Sequence, residues 1–163
     1  MASPSQRRGV PLREKHGWLR FDRYREIHES ALERHPFVLE DGTAFTRLVV
    51  DGGAVIYVLE GDITCHADII VSVSKTLEVR QNRGLEQVRA VHYNYNAYIP
   101  GQGNVLRYDN SHLDAPDEYH RHEYDLDSGE EIGRRALLTR EQFPTLIEAV
   151  TEIAGIIRAA GLR

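Results

Sequence analysis

The stretch IIVSVSKTLEVRQNRGLEQVRAVHYNYNAYIPGQGNVLRYDN, residues 69–110, decides the fold. In its first part Ile69, Val71, Val73, Leu77 and Val79 take alternate positions, and Ser72, Ser74, Thr76 and Glu78 fall between them. Successive side chains of a strand point to opposite faces, so this pattern is a strand with one apolar and one polar face. Asn82-Arg83-Gly84 supplies a turn, after which Gln87 to Tyr98 and Asn104 to Asn110 read as two strands around Pro100-Gly101-Gln102-Gly103. Strands joined by turns this short pair antiparallel, because a parallel pair needs a crossover of about a dozen residues or more. The expected sheet is a meander.

Working outward towards the N-terminus, Phe37 to Leu39 makes a short strand, Asp41-Gly42 a hairpin turn, and Phe45 to Val50 the return strand. Asp51-Gly52-Gly53 is a further turn, and AVIYVLE then leads through GDIT into the long strand. Before all of these, Trp18, Phe21, Tyr24, Ile27, Ala31 and Leu32 recur at three- and four-residue steps with charges between them. That spacing predicts an amphipathic helix from Trp18 to about Glu33, ended by His35-Pro36 because proline disfavours helix at the residue before it. Working outward towards the C-terminus, SHLDAPDEYHRHEYDLDSGEEIG is polar and aperiodic. It reads as a long loop with a short strand around Tyr119 to Leu126. A terminal helix follows, with Phe143, Leu146, Ile147, Val150, Ile153, Ala154 and Ile157 in one stripe. Thr139 and Gln142 have capping-box spacing, Pro144 fits the first turn, and Gly161 is a stop. The class is α+β, a mainly antiparallel meander sheet with an N-terminal and a C-terminal amphipathic helix. Residues 1–17 read as a flexible basic leader and 18–163 as a single α+β domain.

Composition bounds the function. A length of 163 residues suits one core, and 41% hydrophobic with 28% charged residues is ordinary for a globular chain. No stretch approaches the ~20 apolar residues of a spanning helix, so no membrane partner is expected. The leader lacks the apolar segment of a secretory signal. The single cysteine, Cys65, cannot form an internal disulfide and sits in a strand pattern as a small buried hydrophobe, which fits a cytoplasmic location. A net charge of -5 argues against a generally basic nucleic-acid binder and leaves only local charge to carry such a role.

The chemistry concentrates between residues 92 and 122. His92, His112, His120 and His122, half of the eight histidines, lie there with Tyr93, Tyr95, Arg107, Asp109 and Asn110. A hairpin centred on Gly101 sets Tyr95 opposite Arg107 and Tyr93 opposite Asp109 on one face, with His92, Asn94, Tyr108 and Asn110 on the other. A change of register by one residue re-sorts both sets. Histidine serves as general base and acid, arginine stabilises transition-state charge, Asp109 orients it or a histidine, and tyrosines stack on bases. These roles suit metal-independent cleavage of an RNA phosphodiester, with no cofactor and no metal. In the alternative, the tyrosines are core aromatics and Arg107–Asp109 is a structural ion pair. His112, His120 and His122, with Asp117, Glu118 and Glu123 nearby, form a second group that reads as divalent-metal ligands, as catalytic or phosphate-contacting residues, or as solvated loop residues. Asp51-Gly52-Gly53 and Gly101-Gln102-Gly103 are turn glycines and not a phosphate-binding loop.

The run VRAVHYNYNAYIPGQGNVLRYDNSH, then HRH, then a terminal helix entered through FPTLIEAV, resembles the TumE family of small toxin components. That family carries a Tyr-x-Tyr strand, an Arg-Tyr-Asp-Asn stretch and a downstream histidine-rich motif in this order. They correspond here to Tyr93 and Tyr95, to Arg107, Tyr108, Asp109 and Asn110, and to His112, His120 and His122. The order of elements corresponds over roughly residues 54 to 157, and the specific part covers about thirty residues. The family's compact His-His-Lys-His run stands here as the looser His120-Arg121-His122. The resemblance implies a cytoplasmic toxin-like protein whose partner is an antitoxin with a DNA-binding domain. Three readings stand. The first is a toxin-like endoribonuclease acting on single-stranded RNA, with Tyr93, Tyr95, Arg107, Asp109, His112, His120 and His122 around one site. The second is a non-catalytic interaction protein, and the third a metal-dependent hydrolase using the loop histidines.

Overall fold

A computed structural model describes residues 15–110, 118–132 and 136–162. Its elements in chain order are β1 (Leu19–Arg20), α1 (Phe21–Arg34), β2 (Val38–Asp41), β3 (Ala44–Val49), β4 (Val55–Cys65), β5 (Ile70–Asn82), β6 (Leu85–Ile99), β7 (Gly103–Asp109), β8 (Tyr119–Glu123), β9 (Ala136–Leu138) and α2 (Leu146–Ala159). From β4 to β9 each strand pairs antiparallel with the next, which is the α+β meander expected. One sheet face carries the core, with Leu59, Ile63, Val71, Leu77, Val88, Ala97 and Leu106 buried, and both helices contribute to that core. No helix among the described residues is long and apolar enough to cross a membrane.

The Asp41-Gly42 hairpin does not form. β2 and β3 lie end to end along the same neighbour, β2 opposite Ile63–Cys65 and β3 opposite Val55–Glu60. The Gly42 amide donates to the Asp62 carbonyl at 2.9 Å, and Gly61, at φ 140°, sits so close that a side chain there would overlap the Gly42 backbone. Local turn chemistry was right about a break in the strand and wrong about the partner, because the break serves a crossing of two backbones.

The helix ends also shift. α1 starts at Phe21, since Leu19 and Arg20 pair with Val88 and Gln87, and Trp18 stacks under the guanidinium groups of Arg80 and Arg89 at 4.3 and 4.8 Å. It stops before an extended His35, as the following proline requires. α2 is capped by Thr145, which exchanges both capping-box bonds with Glu148. Thr139 and Gln142 do make reciprocal bonds, but in the turn before the helix. Phe143, fully buried, sits between them as an aromatic hub with ring centroids 4.9 Å from Tyr93, 5.9 Å from Tyr95, 5.7 Å from Tyr108 and 5.2 Å from Tyr119. Leu146, Val150, Ile153 and Ile157 bury the α2 stripe as expected.

Two bulges set which residues share a face. Between β5 and β6 the pairing passes from Thr76↔His92 to Leu77↔Ala90, leaving Val91 as the extra residue. Between β6 and β7 it passes from Tyr98↔Asn104 to Ala97↔Leu106, leaving Val105 extra. Beyond Val105 the register therefore differs by one from a plain hairpin about Gly101. Tyr95 faces Tyr108, and Arg107 and Asp109 face Asn96 and Asn94. The expected grouping of Tyr93 and Tyr95 with Arg107 and Asp109 is thereby corrected, because one inserted residue moves every later side chain to the opposite face.

Candidate functional site

Tyr93 and Tyr95 are on the core face, buried and in edge contact with one another at 6.2 Å. Tyr93 donates its hydroxyl to the Ala90 carbonyl at 3.1 Å. Burial pushes both phenols upward, so neither is ready to yield a proton. Asp109 and Arg107 come off β7 on the other face, where β8 adds His120 opposite Asp109 and His122 opposite Arg107. His112 falls on residues 111–117, outside the described residues. Four of the seven expected site residues thus converge and the two tyrosines do not join them.

β8 is held in this orientation from the core side. Arg121 reaches the Tyr108 hydroxyl at 2.9 Å and pairs with Glu152 of α2, which fixes odd-numbered residues of β8 towards the helix and turns His120 and His122 away from it. Asn110 closes the end of β7. Its side-chain oxygen accepts from the Tyr93 amide at 2.8 Å and its amide donates to the carbonyl of Val91, the bulged residue, at 2.9 Å. The Arg-Tyr-Asp-Asn stretch therefore divides its work, with Arg107 and Asp109 facing the histidines while Tyr108 and Asn110 hold the strands.

The centre is a carboxylate between two imidazoles. His120 Nδ1 lies 3.6 Å from Asp109 Oδ1 and His122 Nε2 lies 3.4 Å from Asp109 Oδ2, with the ring centroids 6.1 Å apart. The outward nitrogen of each ring meets its own acid. His120 Nε2 is 3.3 Å from Glu118, and His122 Nδ1 is 2.8 Å from Glu131 in a hydrogen bond. Arg107 Nε stands 2.6 Å from Asp109 Oδ2. Asp109, His120 and His122 are all buried, while Glu118, Glu131 and Arg107 reach the surface as a rim.

Asp109, His120 and His122 each offer one ligand atom, and these atoms lie within 4.8 Å of one another. Two ligands held about 2.0–2.1 Å from a tetrahedral ion stand roughly 3.3 Å apart; the imidazoles lie 3.6 and 3.4 Å from different oxygens of Asp109, so the three residues would draw in slightly to share one ion. Metal-bound histidines usually pass their second ring nitrogen to a carboxylate or carbonyl, and both rings here have such a partner. Three carboxylates against one guanidinium leave a formal charge of about -2 with neutral imidazoles, the complement of a divalent cation.

Glu131 was not singled out from sequence, because it reaches His122 only through a turn around Asp125 to Gly129 and the Tyr124↔Glu131 bridge. Lys75 was also missed, although its signal was present. It occupies the core-facing position between Val73 and Leu77 and is buried. No family model matches the chain, and no curated protein or solved structure matches it, so the site is read from its own chemistry.

Proposed function

We propose that Asp109, His120 and His122 bind a divalent transition-metal ion and that this centre hydrolyses a phosphodiester of single-stranded RNA, in a toxin-like cytoplasmic protein paired with an antitoxin that has a DNA-binding domain. The observation that carries the metal is the single carboxylate facing the inner nitrogens of both imidazoles at 3.4 and 3.6 Å. A phosphate entering between the rings would meet that carboxylate, whereas a cation there would be surrounded by ligands. A bound ion lowers the pKa of its water towards neutrality and so supplies a nucleophile. Arg107, beside the carboxylate and partly exposed, is suited to the negative charge that develops on a phosphoryl group. The toxin role is supported by the resemblance of the Tyr-x-Tyr, Arg-Tyr-Asp-Asn and histidine motifs, and RNA as substrate by the histidine, arginine and carboxylate chemistry of the site.

The test is calorimetric titration of chelator-treated protein with Zn²⁺ and Mn²⁺, followed by cleavage of labelled single-stranded RNA with and without the ion. One ion per chain is expected, with binding lost in His122→Ala, and chelator should abolish cleavage until metal is restored. A second reading is favoured by Arg107 standing next to two histidines, and it is metal-independent acid–base cleavage using the RNA 2′-hydroxyl. Cleavage that persists in chelator and leaves cyclic or 3′-phosphate ends, without stoichiometric metal, would replace the first reading by the second.

A further inference from the structure

On the opposite side of the sheet, between α1, the chain entering it and the first turn of α2, lies a cavity of about 360 Å³. Its wall is largely apolar, with Leu19, Ala31 and Leu146 among its residues; Lys75 lines it, and the other ionisable groups there are Lys15, His16 and His28, together with the hydroxyls of Tyr24 and Tyr93. The volume is near the lower end of the roughly 300–1,000 Å³ typical of small-ligand sites.

Lys75 is the unexplained group. Its ammonium donates to the Tyr24 hydroxyl at 3.1 Å and stands over the rings of Tyr24, Tyr93 and Tyr95 at 5.6, 5.8 and 5.3 Å. Among the described residues no carboxylate pairs with it. Glu148, at the start of α2, is committed to Lys15 at 2.7 Å and to its own helix cap. A buried cation without a counter-ion is costly, and aromatic faces offset only part of that cost. We infer that this cavity binds a small amphiphilic monocarboxylate, its apolar body against α1 and α2 and its carboxylate on the Lys75 ammonium. The ligand supplies the one thing the cavity lacks, a negative charge beside the amine, and its aliphatic part meets the wall. The site is separate from the histidine cluster, which is on the other sheet face, so neither proposal depends on the other.

Titration of the full chain with octanoate, and with 1-octanol as its uncharged twin, tests this at pH 6.5. Octanoate should bind at least about tenfold more tightly than octanol, the advantage of a charge-assisted bond in a buried site. Lys75→Met, which keeps an apolar side chain of similar length, should bring octanoate down to the level of octanol. At pH 8 octanoate binding to the wild type should also take up a proton, seen as a dependence of the measured heat on buffer ionisation. Equal affinity for the two ligands in the wild type, an octanoate preference that survives Lys75→Met, or no saturable binding of either would overturn the inference. The wild-type comparison decides even if the variant is poorly folded.

Discussion

Lys75 also gives the sharpest stability prediction. Burial lowers its ammonium pKa from the ordinary 10.5 to about 7. In the unfolded chain the amine holds its proton up to about pH 10.5, while in the fold it releases it near 7, so between these values the unfolded state binds more protons and stability rises with pH. Below pH 7 both states are protonated and the whole penalty is present. At ~1.4 kcal/mol per pH unit over this window, the penalty is roughly 5 kcal/mol. Lys75→Met removes it, and should unfold in urea with a stability about 2–4 kcal/mol above wild type at pH 6, the excess shrinking as the pH approaches 10. Two histidines near it share the perturbation: burial, with the Lys75 charge second, holds His28 down at about 4, and burial lowers His16 in the same direction with Lys75 a smaller contributor. Their part is separated by following the excess above about pH 7.5, beyond the ordinary histidine value. Taking the difference between variant and wild type cancels what the tyrosines contribute at high pH. Parallel stability curves for the two proteins from pH 6 to 10 would show that the amine is solvated and refute the reasoning.

Val150 is fully buried on α2, so Val150→Asp places an unpaired charge in the core and should cost several kcal/mol, measured by urea unfolding; a wild-type midpoint would make the helix peripheral. Glu131→Gln keeps the shape of the acid behind His122 but removes its charge, and should weaken Zn²⁺ binding by about 10–100-fold in calorimetry with the melting temperature little changed; unchanged affinity would mean that Glu131 does not support the ligand. Asn110→Ala removes the acceptor for the Tyr93 amide and the donor to the Val91 carbonyl, both beside the bulge in the middle of β6, and should lower stability by about 2–3 kcal/mol in the same unfolding assay. A loss under about 0.5 kcal/mol would show that the clasp is replaceable.

The candidate site was legible in its residue types and not in its arrangement. Arg107, Asp109, His120 and His122 stand out in the chain because ionisable groups cluster there. Their grouping with Tyr93 and Tyr95 followed from counting back from Gly101, and the count is off by one. The bulge at Val91 left a trace, since the buried positions run Val88, Ala90 and then Tyr93, Tyr95, Ala97, a change from even to odd numbers. The bulge at Val105 left none, because Val105 and Leu106 are both apolar and both buried, and either can serve as the core-facing residue of a strand. Lys75 was passed over for the opposite reason. A lysine inside an alternating run reads as an interruption, although the aromatic rings that accept it come from α1 and β6.

By itself the sequence determined the α+β class, the antiparallel meander, the two amphipathic helices and the acid–histidine composition of the β7–β8 region, because period-two and period-three-to-four patterns and short turns act between near neighbours. Only the tertiary structure decided that β2 and β3 share one partner strand, that the tyrosines pack under α2 while Asp109 meets His120 and His122 on the reverse face, and that Lys75 lines a cavity. The physical reason is that these facts depend on register and on contacts between distant residues. One inserted residue in a strand changes no local preference, yet it exchanges the two faces of everything that follows.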